Sequence, residues 1–199
     1  GAGQHGPLSD VSTFASTAMA LSGIESIVGY PGEPPIGMIG LNFADPTAAL
    51  WGAFAVLAAL WRRRKTGQGQ YIDVSQIESV LALLGEALTD FSMNRRLPEC
   101  QGNRSRHLAP HGIYRCNGDD KWVSIAVETE DEWRALCVES GNPEWATDSR
   151  FADLRARIRN REALDALLTG WTSQHTDYEV METLQKAGVA ATPVLNIEG

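Results

Sequence analysis

Hydrophobic and polar positions change rhythm several times along the 199 residues. Residues 1–40 show little pattern. Gly6-Pro7 and Pro31-Gly32-Glu33-Pro34-Pro35 punctuate loops, and between them the Ala/Ser/Thr-rich stretch Val11 to Ile24 predicts a weak helix. Asp45-Pro46 predicts a strong helix start. Asp is a favoured N-cap, and proline at the first helical position gives up an N–H that would be unpaired anyway. The helix is apolar nearly all round from Ala48 to Trp61, ends in Arg62-Arg63-Arg64-Lys65 where the helix dipole favours cations, and stops at Gly67. A helix apolar on most sides is expected to be buried, against this chain or a partner. The apolar run is shorter than the ~20 residues of a membrane span, so no membrane is expected.

Tyr71-Ile72-Asp73-Val74 predicts a short strand, and Ser75-Gln76-Ile77-Glu78 a capping box that opens a helix to about Met93. This helix–strand–helix order predicts an α/β layer. Residues 94–109 are polar and basic and read as a linker or loop. Ile113 to Cys116, the turn Asn117-Gly118-Asp119-Asp120, and Lys121 to Val127 predict a β-hairpin. Thr129-Glu130-Asp131-Glu132 is a second capping box, leading a helix with Trp133, Leu136 and Cys137. Further helical patterns cover 160–173 and 176–188, the latter opened by Thr176-Asp177-Tyr178-Glu179, and Val189 to Val194 predicts a closing strand. Residues 1–93 thus read as part of an α/β domain too one-sided to close its own sheet, and 110–199 as a compact α+β domain.

Composition narrows the class. Apolar residues make up 43% of the chain, and six Trp supply core material, which excludes wholesale disorder. A net charge of −8 argues against a nucleic-acid partner, since phosphate binding is driven by Lys and Arg. No Lys or Arg precedes Arg62, and that stretch carries only Asp10, Glu25, Glu33 and Asp45 as acids, a charge poverty that again predicts burial. Cys100, Cys116 and Cys137 form no CxxC pair. They argue against a disulfide framework or structural zinc and for a reducing, cytoplasmic setting. Gly1-Ala2-Gly3-Gln4 has no basic signal-peptide region, and the chain reads as a piece of something longer.

Asp45 is the carboxylate of most interest, with two compatible readings. As a plain N-cap it needs no further explanation. A helix N-terminus also favours an anionic carboxylate in a fixed position, and glycine-bearing backbone such as Gly37 and Gly40 would let a substrate approach it, as a carboxylate nucleophile requires. His107 and His111 stand four apart, but Pro110 and Gly112 spoil a helix and no acidic ligand is near, so no metal site is expected. A glycine-and-histidine loop over a pocket fits better. His5 and His175 stand alone and read as surface or packing residues. Gly67-Gln68-Gly69-Gln70 lacks the Lys-Ser/Thr of a phosphate loop and reads as a helix-to-strand turn, although the basic cluster before it could meet a phosphorylated ligand. The Trp residues are expected in cores rather than as binding platforms.

Several strings resemble the class III CoA-transferase family (CaiB/BaiF type). They are Gly1-Ala2-Gly3-Gln4-His5-Gly6-Pro7, Gly29-Tyr30-Pro31-Gly32-Glu33-Pro34-Pro35, Asp45-Pro46-Thr47-Ala48-Ala49, Phe54 to Leu60, Arg63 to Ser75 with its Lys-Thr-Gly-x-Gly-Gln core, and Gly102-Asn103 to Gly112. The resemblance implies a Rossmann-like large domain followed by a small α+β domain, and interlocked homodimers. It implies transfer of CoA between an acyl-CoA thioester and a small carboxylic acid, with coenzyme A as substrate and no tightly bound cofactor. The family's nucleophile is an Asp just before the long apolar helix, here Asp45, which would pass through an acyl-aspartyl anhydride and an aspartyl-CoA thioester. Gln76, His107, Ala109, His111 and Gly112 fall where substrate and CoA contacts are expected, with backbone N–H groups of the 107–112 loop as oxyanion donors. Where some relatives carry a run of glycines, this chain has His107-Leu108-Ala109-Pro110-His111-Gly112. The family's chain is considerably longer, so this stretch alone is expected to be inactive.

Two other readings compete. A sister branch racemises α-methylacyl-CoA with a His and an Asp in the segments matching 1–25, but Val11 to Ile24 contains neither, and His5 and Asp10 lack that branch's His-Asp-x-Asn context. The other is a non-catalytic fragment or interaction domain.

Overall fold

The computed structural model describes residues 1–38, 40 and 42–197. The chain divides into two compact units, Gly1–Gly102 and Asn103–Gly199.

The described elements of the first unit are helical. Helix α1 spans Ala15–Ser22 and a 3-10 turn follows at Ile24–Ile27, narrower than the weak helix expected. Helix α2 spans Ala44–Thr66, and Gly67, at φ 72°, closes it with its N–H on Arg63 O, as the sequence predicts. Helix α3 covers Gln76–Leu81, with Ser75 Oγ accepting from Glu78 N, and helix α4 covers Gly85–Asn94. A 3-10 turn at Ala82–Leu84 splits what the pattern presents as one helix. The break falls beside Gly85, where a missing Cβ lowers the preference for continued helix.

The expected strand at 71–74 does not form. Strand geometry needs a neighbour to complete its ladder. Here Asp73 Oδ2 accepts from Gln4 N at 2.9 Å, and Gly1 O accepts from Gln76 N at 2.8 Å, so the opening residues bind the segment locally without a ladder. The α/β layer expected for this half is therefore not seen among the described residues. The architecture is mixed, with the described sheet confined to the second unit.

The first unit's core is small: Ala18, Met19, Ala44, Ile77 and Val80, with Ala2, Ala15, Ile24, Met38 and Leu81 packed against it. Only the start of α2 joins it. Leu50, Trp51, Phe54, Leu57, Leu60 and Trp61 are exposed, so the burial expected of this helix is not met by the described residues of the first unit, and Trp51 and Trp61 are not core residues. At 23 residues α2 is long and apolar enough, by length and composition, to cross a membrane. Its uncharged stretch between Asp45 and Arg62, however, reaches only about 24 Å at 1.5 Å per residue, against ~30 Å of bilayer hydrocarbon.

The second unit has a three-stranded antiparallel sheet in the order β1-β2-β3: His111–Arg115, Trp122–Ala126 and Ala190–Pro193. The hairpin register pairs Tyr114 with Val123 and Gly112 with Ile125. Alternation puts Tyr114, Val123, Ile125 and Ala191 on the buried face. Four helices follow β2: α5 Glu130–Glu139, α6 Leu154–Arg159, α7 Arg161–Thr172 and α8 Asp177–Lys186. The predicted capping box at Thr129/Glu132 forms in full, as does one at Thr176/Glu179, whereas the box predicted at Ser75–Glu78 forms only its Ser75 half. Trp133, Phe151, Leu136, Leu164, Leu168 and Leu184 fill the core, with Trp133 and Phe151 edge to face at 6.3 Å. Each such side chain contributes about 1.5–3 kcal/mol by burial.

Candidate active site

Asp45 is not the N-cap of α2. Phe43 holds that position without a side-chain bond, Ala44 is the first helical residue, and Asp45 and Pro46 follow within the first turn. The displacement follows from packing. Ala44 is completely buried against the Met19–Val80 core, which moves the helix start two residues upstream. Pro46 still costs no hydrogen bond there, because first-turn N–H groups lack helical partners.

The Asp45 carboxylate faces another helix terminus. Gln76 Nε2 donates to Asp45 Oδ1 at 2.6 Å across 31 residues of sequence. Each member of this pair lies next to a buried anchor, Asp45 beside Ala44 and Gln76 between Ser75 and Ile77. The peptide N–H groups of Gln76 and Ile77 and the Ser75 hydroxyl all reach Gly1 O. Carboxylate and amide are thus presented from two helix starts fixed by one core, while Asp45 itself remains exposed. Upstream, Gly37 has φ 69°, and Glu25 accepts from Met38 N at 2.7 Å. That backbone is the left-handed conformation that favours glycine, and a side chain at 37 would also have to displace the Glu25 carboxylate.

The remaining predicted site residues, His107, Ala109, His111 and Gly112, belong to the second unit. His107 is exposed and its N–H is taken by Ser105 Oγ at 3.1 Å. Pro110 has no N–H. These two positions therefore offer no backbone donor, which narrows the oxyanion role expected of the loop. Ala109 is fully buried and its carbonyl accepts from Arg157 Nε at 2.7 Å, so its contribution is to position the loop. His111 Nδ1 lies 2.8 Å from Asn103 O. A carbonyl only accepts, so the proton is on Nδ1, and Nε2 is the ring atom left for a ligand. A Cβ on Gly112 would sit 3.1 Å from the Tyr114 hydroxyl, so any larger residue there would press on the ring.

Arg157 was not singled out by sequence. Its side chain is buried. It donates to Ala109 O, to Phe151 O at 3.2 Å and to both Glu130 oxygens at 3.0 and 2.7 Å, and its guanidinium lies 5.1 Å from the Trp133 ring. The guanidinium holds the Glu130 carboxyl below the ordinary carboxylate range. A second network fixes the start of the loop. Tyr114 Oη donates to Asp165 Oδ1 at 3.0 Å, Arg104 lies 3.6 Å from Asp165 Oδ2, and Arg161 donates to Ser105 O. Burial raises Asp165 above the ordinary range more than these partners lower it. In the sequence these arginines look like any others in a basic stretch.

The chemistry available is that of an exposed carboxylate held by one amide. The two cysteines of the second unit do not compete for the role of nucleophile. Burial pushes the Cys116 thiol up to about 11 and the Cys137 thiol to about 12. A cavity of about 570 Å³ in the second unit, with Trp145, Trp171, His175 and Glu179 among its walls, contains none of the predicted site residues. His175 packs 5.8 Å from the Trp171 ring, as a packing residue should.

Comparison with known proteins adds the chemical context. The family described as CoA-transferase family III matches residues 1–199. The chain is 35% identical over 191 residues to the succinyl-CoA–D-citramalate CoA-transferase of Chloroflexus aurantiacus, covering 96% of this chain and 47% of that protein. It is 33% identical over 197 residues to the acetyl-CoA:oxalate CoA-transferase of Acetobacter aceti, covering 99% and 50%. The crystal structure of a CaiB/BaiF family protein from Brucella suis matches with a TM-score of 0.91 at 30% identity, over 100% of this chain and 52% of that one. The chain spans about half the length of the relatives it matches.

Proposed function

The chain belongs to CoA-transferase family III, and from that premise we propose that the whole protein moves CoA from an acyl-CoA thioester to a carboxylic acid with Asp45 as nucleophile. The observation that carries the reading is the Asp45 carboxylate itself, in the first turn of α2, exposed and held by Gln76 at 2.6 Å. One Asp45 oxygen attacks the thioester carbonyl; the C–S bond breaks, giving a mixed anhydride and CoA thiolate. The thiolate attacks the aspartyl carbonyl, giving aspartyl-CoA and expelling the donor acid as its carboxylate. The acceptor carboxylate reverses these two steps. No proton or electron is consumed, and positioning supplies most of the acceleration. His111 Nε2 and the 107–112 backbone are proposed to contact substrate or CoA. The acids named for the relatives suggest small dicarboxylates as acceptors, with succinyl-CoA or acetyl-CoA as donor.

The same reading gives a cytoplasmic enzyme with a Rossmann-like large domain to which the first unit belongs, and a homodimer. The exposed apolar side of α2 supports assembly, and the free, buried cysteines suit a reducing setting. The test uses the whole protein with succinyl-CoA and with acetyl-CoA in the presence of hydroxylamine. The expected product is a hydroxamate at Asp45, absent in Asp45→Ala, whose turnover falls to background. Labelling at another residue, full activity in the variant, or no labelling by either donor overturns the proposal.

A further inference from the structure

We infer that Gln76 acts on one half of the double displacement: its amide is the oxyanion donor at the aspartyl carbonyl, and not at the carbonyl of the incoming acyl group. This rests on Asp45 being the nucleophile. The geometry separates the two oxygens of that carboxylate. Oδ1 is engaged by Gln76 Nε2 at 2.6 Å, so the oxygen with its lone pairs free to attack the thioester is Oδ2. Once Oδ2 is acylated, Oδ1 becomes the carbonyl oxygen of the anhydride, with the Gln76 N–H already on it.

Charge then develops where this donor points. When the CoA thiolate adds to the aspartyl carbon, the π electrons move onto Oδ1, the tetrahedral oxyanion forms against the amide N–H, and collapse expels the donor carboxylate through Oδ2. Attack of the acceptor carboxylate on aspartyl-CoA passes through an oxyanion on the same Oδ1. The first attack, by Oδ2 on the donor thioester, places its charge on the acyl oxygen, which Gln76 does not hold. A donor that meets charge only as it forms lowers the barrier of that step selectively. The amide is also well fixed for the task. Its residue begins α3, and its own backbone N–H is fastened to Gly1 O at 2.8 Å, beside the buried Ser75 and Ile77.

Gln76 is only partly buried, so Gln76→Met should fold, and Gln76→Leu serves as a second variant. In the whole protein, with succinyl-CoA or acetyl-CoA as donor, kcat is expected to fall on the order of 100-fold, with KM for the donor within about twofold if ground-state binding is untouched. Rapid quench of the first turnover with donor alone, no acceptor acid added, followed by intact mass should show the covalent population shifted from the CoA adduct to the acyl adduct, with a burst of free thiol equal to the enzyme present. A general packing defect would slow all steps and leave that partition where it was. An unchanged partition, with or without a loss of kcat, overturns the inference. Should Asp45→Ala retain activity, the nucleophile reading falls first. If Asp45→Ala is inactive while Gln76→Met partitions like the parent, only the role given to Gln76 falls.

Discussion

At the scale of single residues, the second unit depends on charges kept inside. Arg157 is buried and spends its donors on Ala109 O, Phe151 O and Glu130, whose own side chain is 45% exposed. Removing Glu130 leaves the guanidinium partly uncompensated in the interior. Glu130→Ala is therefore expected to destabilise the protein by about 1–2 kcal/mol at neutral pH, read by urea unfolding. The folded-state carboxyl of Glu130 is held below its ordinary range, so the contribution is complete above pH ~4.3 and fades as pH falls through the lower folded value. Glu130→Gln should accordingly show a shallower loss of stability on acidification than the parent. Cys116 and Cys137, with thiols pushed up to about 11 and about 12, should react with a thiol reagent in the native state far more slowly than after unfolding. Equal rates would contradict that burial.

At the scale of elements, Gly112→Ala tests the packing of β1 against its own residue 114. The added methyl would lie 3.1 Å from the Tyr114 hydroxyl, which is held by Asp165. The ring must shift, at a cost of about 1–3 kcal/mol, measurable as a lowered unfolding midpoint. Elements whose signals are local were legible in the sequence. The capping boxes at Thr129 and Thr176, the turn at Asn117–Asp120 and the Gly67 stop all rest on residues within a few positions of one another. Those that failed depended on distant partners. Tyr71–Val74 has the composition of a strand, but a ladder partner cannot be read from its own residues. Asp45 read as an N-cap because Asp-Pro signals one, yet burial of Ala44 moved the boundary. The Asp45–Gln76 bond bridges two helix starts, and no periodicity connects them. Arg157 was illegible for the same reason, since a buried arginine and a surface arginine look alike in a helix such as Leu154–Arg159.

At the scale of the whole molecule, the two units differ in how they are stabilised. The second has a core of large side chains under a sheet, whereas the first rests on Ala18, Met19, Ala44, Ile77 and Val80. The 199 residues on their own are expected to bind an apolar dye strongly, and Leu50→Gln with Phe54→Gln and Leu57→Gln should remove most of that signal. Persistence of the signal in the triple variant would place the sticky surface elsewhere. The open flank of α2 also bears on how such a protein can be made. A ribosome that has finished this helix displays Leu50, Phe54, Leu57 and Trp61 to the cell until something covers them. During that interval the nascent polypeptide is a natural client for chaperones and a target for proteases. The residues around Asp45, the proposed nucleophile, are then poorly suited to inheritance as a free-standing module: a polypeptide of this stretch alone is expected to be cleared before it could work.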